Sequence, residues 1–201
     1  MKVNAGRAGV GPPGRWSLVG LIGLLLLGCG RGTDPDAQNQ ARRTLAAAEE
    51  PVLLVLEGNP FEMDEARLNG LVSHEIAAGV SGMQTTFTTS PAAAAAPEPR
   101  LVVILNPQSE PAPATACTAP GSVATAPASE PLRIVAVFCR GDEVLGATRS
   151  EAVVGGPIDQ RFRRLLWRTA NQLFPDDYAE TYGFGILPRS LDFGLGGGFG
   201  K

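Results

Sequence analysis

Lysine is nearly absent from this chain of 201 residues: it stands only at positions 2 and 201, so almost every positive charge is an arginine. Together with abundant alanine, glycine and proline, this is the residue usage of a GC-rich genome and carries no functional information. Histidine occurs once, at His74, and one histidine cannot supply the three or four protein ligands of a zinc site. No apolar run approaches the roughly 20 residues that a helix needs to span about 30 Å of hydrocarbon. A basic excess is missing too, the formal charge being −3, and without one a protein has little with which to displace the counterions of DNA or RNA. Nucleic acid is therefore not an expected partner.

What is present begins at the N-terminus. Lys2, Arg7 and Arg15 precede any acidic residue, the first of which is Asp34. The run WSLVGLIGLLLL, Trp16 to Leu27, is apolar apart from one serine and two glycines. Its 12 residues suit the core of an export signal and fall short of a permanent span. It closes on Leu26-Leu27-Gly28-Cys29, which resembles the lipobox of bacterial lipoproteins. The resemblance covers the leader alone. It implies a diacylglycerol thioether on Cys29, removal of residues 1–28 as a signal peptide, and acylation of the new amino group. Two or more acyl chains anchor firmly where one does so marginally. In that family aspartate directly after the cysteine favours the inner membrane, so Gly30 points to the outer membrane of a diderm envelope, facing the periplasm.

Loss of the leader leaves 14 basic residues against 20 acidic ones, a net charge of −6, on 173 residues. That length suits one domain with a real core. Beyond Cys29 there remain Cys117 and Cys139, 22 positions apart. In an exported protein they either form a bridge or stand as two unpaired thiols, and spacing does not decide between these.

Residues 29–50 are polar and then alanine-rich, with no apolar face wide enough to pack. They read as the lipidated N-terminus and a tether, helical in its second half. A single domain is expected over 51–178. Within it VLLVL (52–56) and LVVIL (101–105) read as buried strands, MQTTFT (83–88) as a further strand, and 132–139 with 144–149 as a hairpin turning at Arg140-Gly141-Asp142-Glu143. Asn59 and Pro60 read as the start of a helix whose apolar stripe is Leu68, Leu71, Val72, Ile76 and Val80. A second helix carries Phe162, Leu165, Leu166, Thr169 and Leu173 on one face and stops at Pro175. Residues 106–131 hold six prolines and seven alanines and are expected to be an extended surface insertion, with Cys117 its only staple. The Gly- and Phe-rich tail, 179–201, is expected to be disordered. The expected fold class is α+β: a small, mainly antiparallel sheet with two amphipathic helices packed on one face.

Few residues offer chemistry. His74 falls opposite its helix stripe and reads as a surface histidine, and neighbouring Ser73, His74 and Glu75 diverge by about 100° each, which excludes a triad. Glu57, Glu62, Asp64 and Glu65 lack the loop spacing and glycine turn of a calcium site. Arg140-Gly141-Asp142 spells an adhesive tripeptide that turn chemistry explains equally well. Gly200-Lys201 lacks the upstream glycine, the following Ser or Thr, and the flanking strand and helix of a phosphate loop. No cofactor and no metal are expected. Arg161, Arg163, Arg164 and Arg168 form the most distinctive charged group. Arg164, Arg168 and the flanking Trp167 are the expected interaction surface, suited to phosphate headgroups, lipopolysaccharide or an acidic partner. The leading expectation is a non-catalytic envelope lipoprotein, an interaction or assembly module that meets the membrane through Cys29 and another envelope protein through its surface. The alternatives are an envelope hydrolase using a carboxylate pair such as Glu57 and Asp142, and a lipid-carrying auxiliary subunit of a transport system.

Overall fold

The computed structural model describes residues 35–176. The leader, Cys29, the first part of the tether and the 179–201 tail lie outside the described residues. Helix α1 (Pro35–Ala47) is followed by strand β1 (Val52–Glu57), helix α2 (Glu65–Gly79), strands β2 (Phe87–Thr88) and β3 (Ala96–Leu105), the short helix α3 (Pro113–Thr118) and a 3-10 turn (Pro120–Ser122). Strands β4 (Leu132–Arg140) and β5 (Glu143–Ala152) and helix α4 (Gln160–Leu173) complete the order.

The fold is α+β, with the strands in the order β2-β1-β3-β4-β5. The sheet is mixed rather than mainly antiparallel: β1 runs parallel to both β2 and β3, while β3–β4 and β4–β5 are antiparallel. The physical reason is connectivity. Helix α2 carries the chain back to the end of the sheet from which β1 set out, so the next strand must run in the same direction. The loop between β2 and β3 makes the same return, and Ala95 donates its N–H to the Pro51 carbonyl at the start of β1.

Alternation along the strands divides two cores. Leu101, Val103 and Leu105 of β3 and Ile134, Ala136 and Phe138 of β4 face the helices. Val102, Ile104, Val135, Val137 and Cys139 face the other way. The helical side is filled by Phe138, Phe162 and Phe174, all fully buried, with Phe138 and Phe174 packed edge to face at 5.1 Å. All five residues of the predicted second helix stripe, Phe162, Leu165, Leu166, Thr169 and Leu173, are buried on α4.

The structure departs from the sequence-based expectation at two helices. The segment read as a tether is already structured at residue 35, and α1 joins α2 and α4 on the helical face, so three helices cover it. Its stripe is narrow, Ala41 and Leu45 being buried. That suffices because Gly146 of β5 lies beneath it: a Cβ at Gly146 would come within 3.2 Å of both Ala41 Cβ and Leu173 Cδ1. Gln38 donates to the Gln172 carbonyl (2.7 Å), and the buried Arg42 donates to the Phe174 carbonyl (3.2 Å). The second correction concerns the start of α2. Asp64, not Asn59, caps this helix, accepting from the Arg67 N–H, while Asn59 ties the preceding turn by bonding both the N–H and the carbonyl of Met63.

The Pro/Ala-rich insertion is not merely extended chain. It covers the second face of the sheet, where Ala116 and Cys117 of α3 are fully buried. Cys117 and Cys139 are joined, with Cα atoms 5.7 Å apart. Further staples were not foreseen: buried Asn106 donates its side-chain amide to the Pro127 carbonyl, and Arg100 donates to the Cys117 carbonyl (2.7 Å). Among the described residues no helix is long and apolar enough to cross a membrane.

Candidate interaction surface

Helix α4 begins at a built N-cap. The Asp159 carboxylate accepts from the Arg161 N–H (2.8 Å) and the Gly155 N–H (2.9 Å). The hydrogen bond from Arg161 foremost, then that from Gly155, holds its carboxyl below the usual carboxylate range, because both bonds favour the ionised form. From this start the apolar stripe turns inward, and the opposite side presents Arg161, Arg164, Trp167 and Arg168, all exposed.

Helices α2 and α4 run side by side and touch closely at Gly79, where a Cβ would lie 2.5 Å from the Trp167 carbonyl oxygen. Along this seam the Arg163 guanidinium bonds the almost buried Glu75 carboxylate at 2.6 Å. Trp167, with 48% of its surface exposed, is pinned by its indole N–H, which donates to the Ala78 carbonyl. Glu75, Gln160, Arg163, Arg164 and Trp167 line a shallow hollow of about 280 Å³. Arg164 and Trp167 are thus brought together as expected. Arg168 lies on the same outward side but does not line the hollow. Glu75, Gln160 and Arg163 were not singled out as parts of it. Nothing in the sequence pairs Glu75 with a residue 88 positions on, although its place beside Ile76, at the border of the α2 stripe, marks it as a helix-flank carboxylate.

Chemically, the surface is a rigid aromatic plate beside guanidinium groups. Glu75 already holds Arg163, and Arg161, Arg164 and Arg168 make no ion pair among the described residues. Exposed guanidinium groups of this kind are suited to forked recognition of phosphate or carboxylate oxygens.

A second, wider hollow of about 660 Å³ runs between α2 and the sheet edge at β2. Asn69, Ser73, His74, Thr85, Thr86 and Thr88 are among its lining residues. His74 is exposed there, as its helical position predicted. The Thr85 hydroxyl is buried without a hydrogen-bond partner.

Glu57 and Asp142 are not brought together. Glu57 pairs across to Ile104, whereas the hairpin carrying Asp142 lies beyond the Arg100–Cys139 pair. Four residues of β3 separate those registers, about 13 Å at 3.3 Å per residue, which exceeds the roughly 5 to 9.5 Å of a glycosidase-type carboxylate pair. Arg140-Gly141-Asp142 does form the hairpin tip, with Gly141 at φ 57°, the conformation for which glycine is favoured in such turns. The Arg140 guanidinium reaches back to the Thr44 hydroxyl at 3.0 Å. Among the described residues no group of three or more His, Cys, Asp or Glu side chains is placed to hold a metal ion. Gly200-Lys201 lies outside the described residues.

No protein-family model, no curated protein and no solved structure matches this chain.

Proposed function

We propose that this chain is a bacterial lipoprotein, cut before Cys29, held at a membrane by acyl chains on that cysteine, and serving as a non-catalytic interaction or assembly module of the cell envelope. The observation that carries the reading is the order of features in the leader: Lys2, Arg7 and Arg15, then 12 apolar residues, then Leu-Leu-Gly-Cys29. The Cys117–Cys139 bridge supports it, since such bonds persist in oxidising compartments outside the cytosol. Gly30 favours the outer membrane, with the folded unit facing the periplasm. Recognition rather than carboxylate-pair hydrolysis is supported by the distance between Glu57 and Asp142 and by the fixed Trp167 plate beside Arg164. The space between helices and sheet, filled by Phe138, Phe162 and Phe174, speaks against a lipid-carrying groove there. The partners in this reading are the membrane and another envelope protein.

Intact mass spectrometry of the membrane-extracted protein, with fractionation of a Cys29→Ala variant, tests the reading. The expected result is a mature mass beginning at Cys29 with added acyl chains, and release of the variant from the outer-membrane fraction. A mass without lipid, or a variant still found in the outer-membrane fraction, sinks it.

A further inference from the structure

The packing of α1 shortens the link between anchor and fold. Only six peptide steps separate Cys29 from Pro35, where α1 begins. Fully extended, they reach about 20 Å. A folded unit of this size is about 35 to 40 Å across, so the link is shorter than the body it holds. If Cys29 is acylated, one side of the fold must rest near the lipid headgroups.

The same packing indicates which side. Gln38, one helical turn from the start of α1, bonds the carbonyl of Gln172, one turn beyond Arg168. The start of α1 is therefore tied to the C-terminal end of α4, where Arg168 stands one helical turn before Gln172, while Arg161 lies about 16 Å of rise away at the other end. On the outward face of α4 Arg161, Arg164 and Arg168 are exposed without an ion pair among the described residues, and the one carboxylate lining the adjacent hollow, Glu75, is taken up by Arg163. Trp167 stands between them, half exposed, with its N–H satisfied and its ring outward. An amphipathic ring flanked by cations is the composition that settles at the boundary between headgroups and acyl chains.

We propose that the outward face of α4, with Arg161, Arg164, Trp167 and Arg168, docks on the anionic headgroup surface of the bilayer that holds Cys29. This rests on the lipoprotein reading and adds an orientation to it. Docked this way, the unit lies with the outward face of α4 toward the bilayer.

The sequence supplies its own probe. Of the two tryptophans, Trp16 leaves with the leader, so Trp167 is the only one in the mature chain. The test uses the mature acylated protein reconstituted into vesicles of phosphatidylcholine alone, or with phosphatidylglycerol at about one third. Flotation and Trp167 emission are read with and without bromine-labelled acyl chains. Expected are flotation with both vesicles, but a blue shift and bromine quenching of Trp167 only with the anionic ones, reversed at about 0.5 M salt, where screening is nearly complete. An Arg164→Ala/Arg168→Ala variant should float equally well with its quenching reduced by roughly half or more. Protein that floats while Trp167 remains water-exposed and unquenched overturns the docking, leaves the anchor standing and assigns this face to a protein partner. Protein that does not float overturns the anchor and the docking together.

Discussion

At the scale of single residues, the best-defined electrostatic feature is Asp159, whose two backbone hydrogen bonds fix the start of α4. Its carboxyl holds a proton less tightly in the fold than in the unfolded chain. Its stabilising contribution is therefore complete above the ordinary carboxylate value of about 3.9 and disappears as the pH falls through the lowered folded-state value. Asp159→Ala should lower the urea midpoint at neutral pH, and the gap to the parent protein should close as the pH is taken below about 4. A gap that stays constant with pH would show that the carboxylate charge is not what the cap uses. Residues were also where reading from the sequence was least complete. The Glu75–Arg163 pair joins two helices, and the stripe of each helix alone carries no sign of it. Asn106 looked like the first residue of a loop, yet it is buried and ties that loop down through several bonds, an arrangement set by partners more than 20 positions away.

At the scale of elements, α1 is decisive, because the tether reading and the observed packing predict different outcomes for one substitution. Leu45 is 3% exposed. Leu45→Ala should cost about 2 to 3 kcal/mol in urea unfolding if it packs as seen, against less than about 0.5 for a solvated linker. The α2–α4 seam makes a second prediction. Alanine is favoured over glycine in a helix by about 1 kcal/mol, yet at Gly79 its Cβ would meet the Trp167 carbonyl oxygen at 2.5 Å and Ala170 Cβ at 2.8 Å. Overpacking of this kind costs about 1 to 3 kcal/mol. Gly79→Ala should thus be net destabilising by about 1 kcal/mol and should shift Trp167 emission, which thermal melts and fluorescence would show. The elements that pattern made legible were those with wide apolar faces: β1, the core of β3, β4, β5 and α4 appear where their hydrophobic runs place them. Strand direction was not legible, because it depends on where α2 and the 89–95 loop return the chain. The packing of α1, which the sequence reads as a part-helical tether, was not legible because a stripe of one alanine and one leucine carries little hydrophobic signal, and the glycine that lets it approach stands about 100 residues downstream.

For the whole molecule, the two faces of the sheet are protected unequally. Three helices bury one, while the other depends on a proline-rich cover held at Cys117, Asn106 and Arg100. Closing a 22-residue loop is worth about 3 kcal/mol in the chain-entropy account. A Cys117→Ala/Cys139→Ala protein should lose stability of that order. It should also expose Val102, Val135 and Val137 to a hydrophobic dye and open the 106–131 segment to protease while the helical side remains folded. Cleavage spread evenly along the chain would refute the idea of an independently released cover. The α1 contacts have a further consequence, which concerns time. Gln38 bonds a residue 134 positions later, and Arg42 one 132 positions later. A chain that emerges N-terminus first must therefore wait for almost its entire folded length before its first helix can close against its last. During that wait Ala41 and Leu45 stand open to whatever the unfolded chain meets, and the closing of α1 against α4 and β5 ends that exposure.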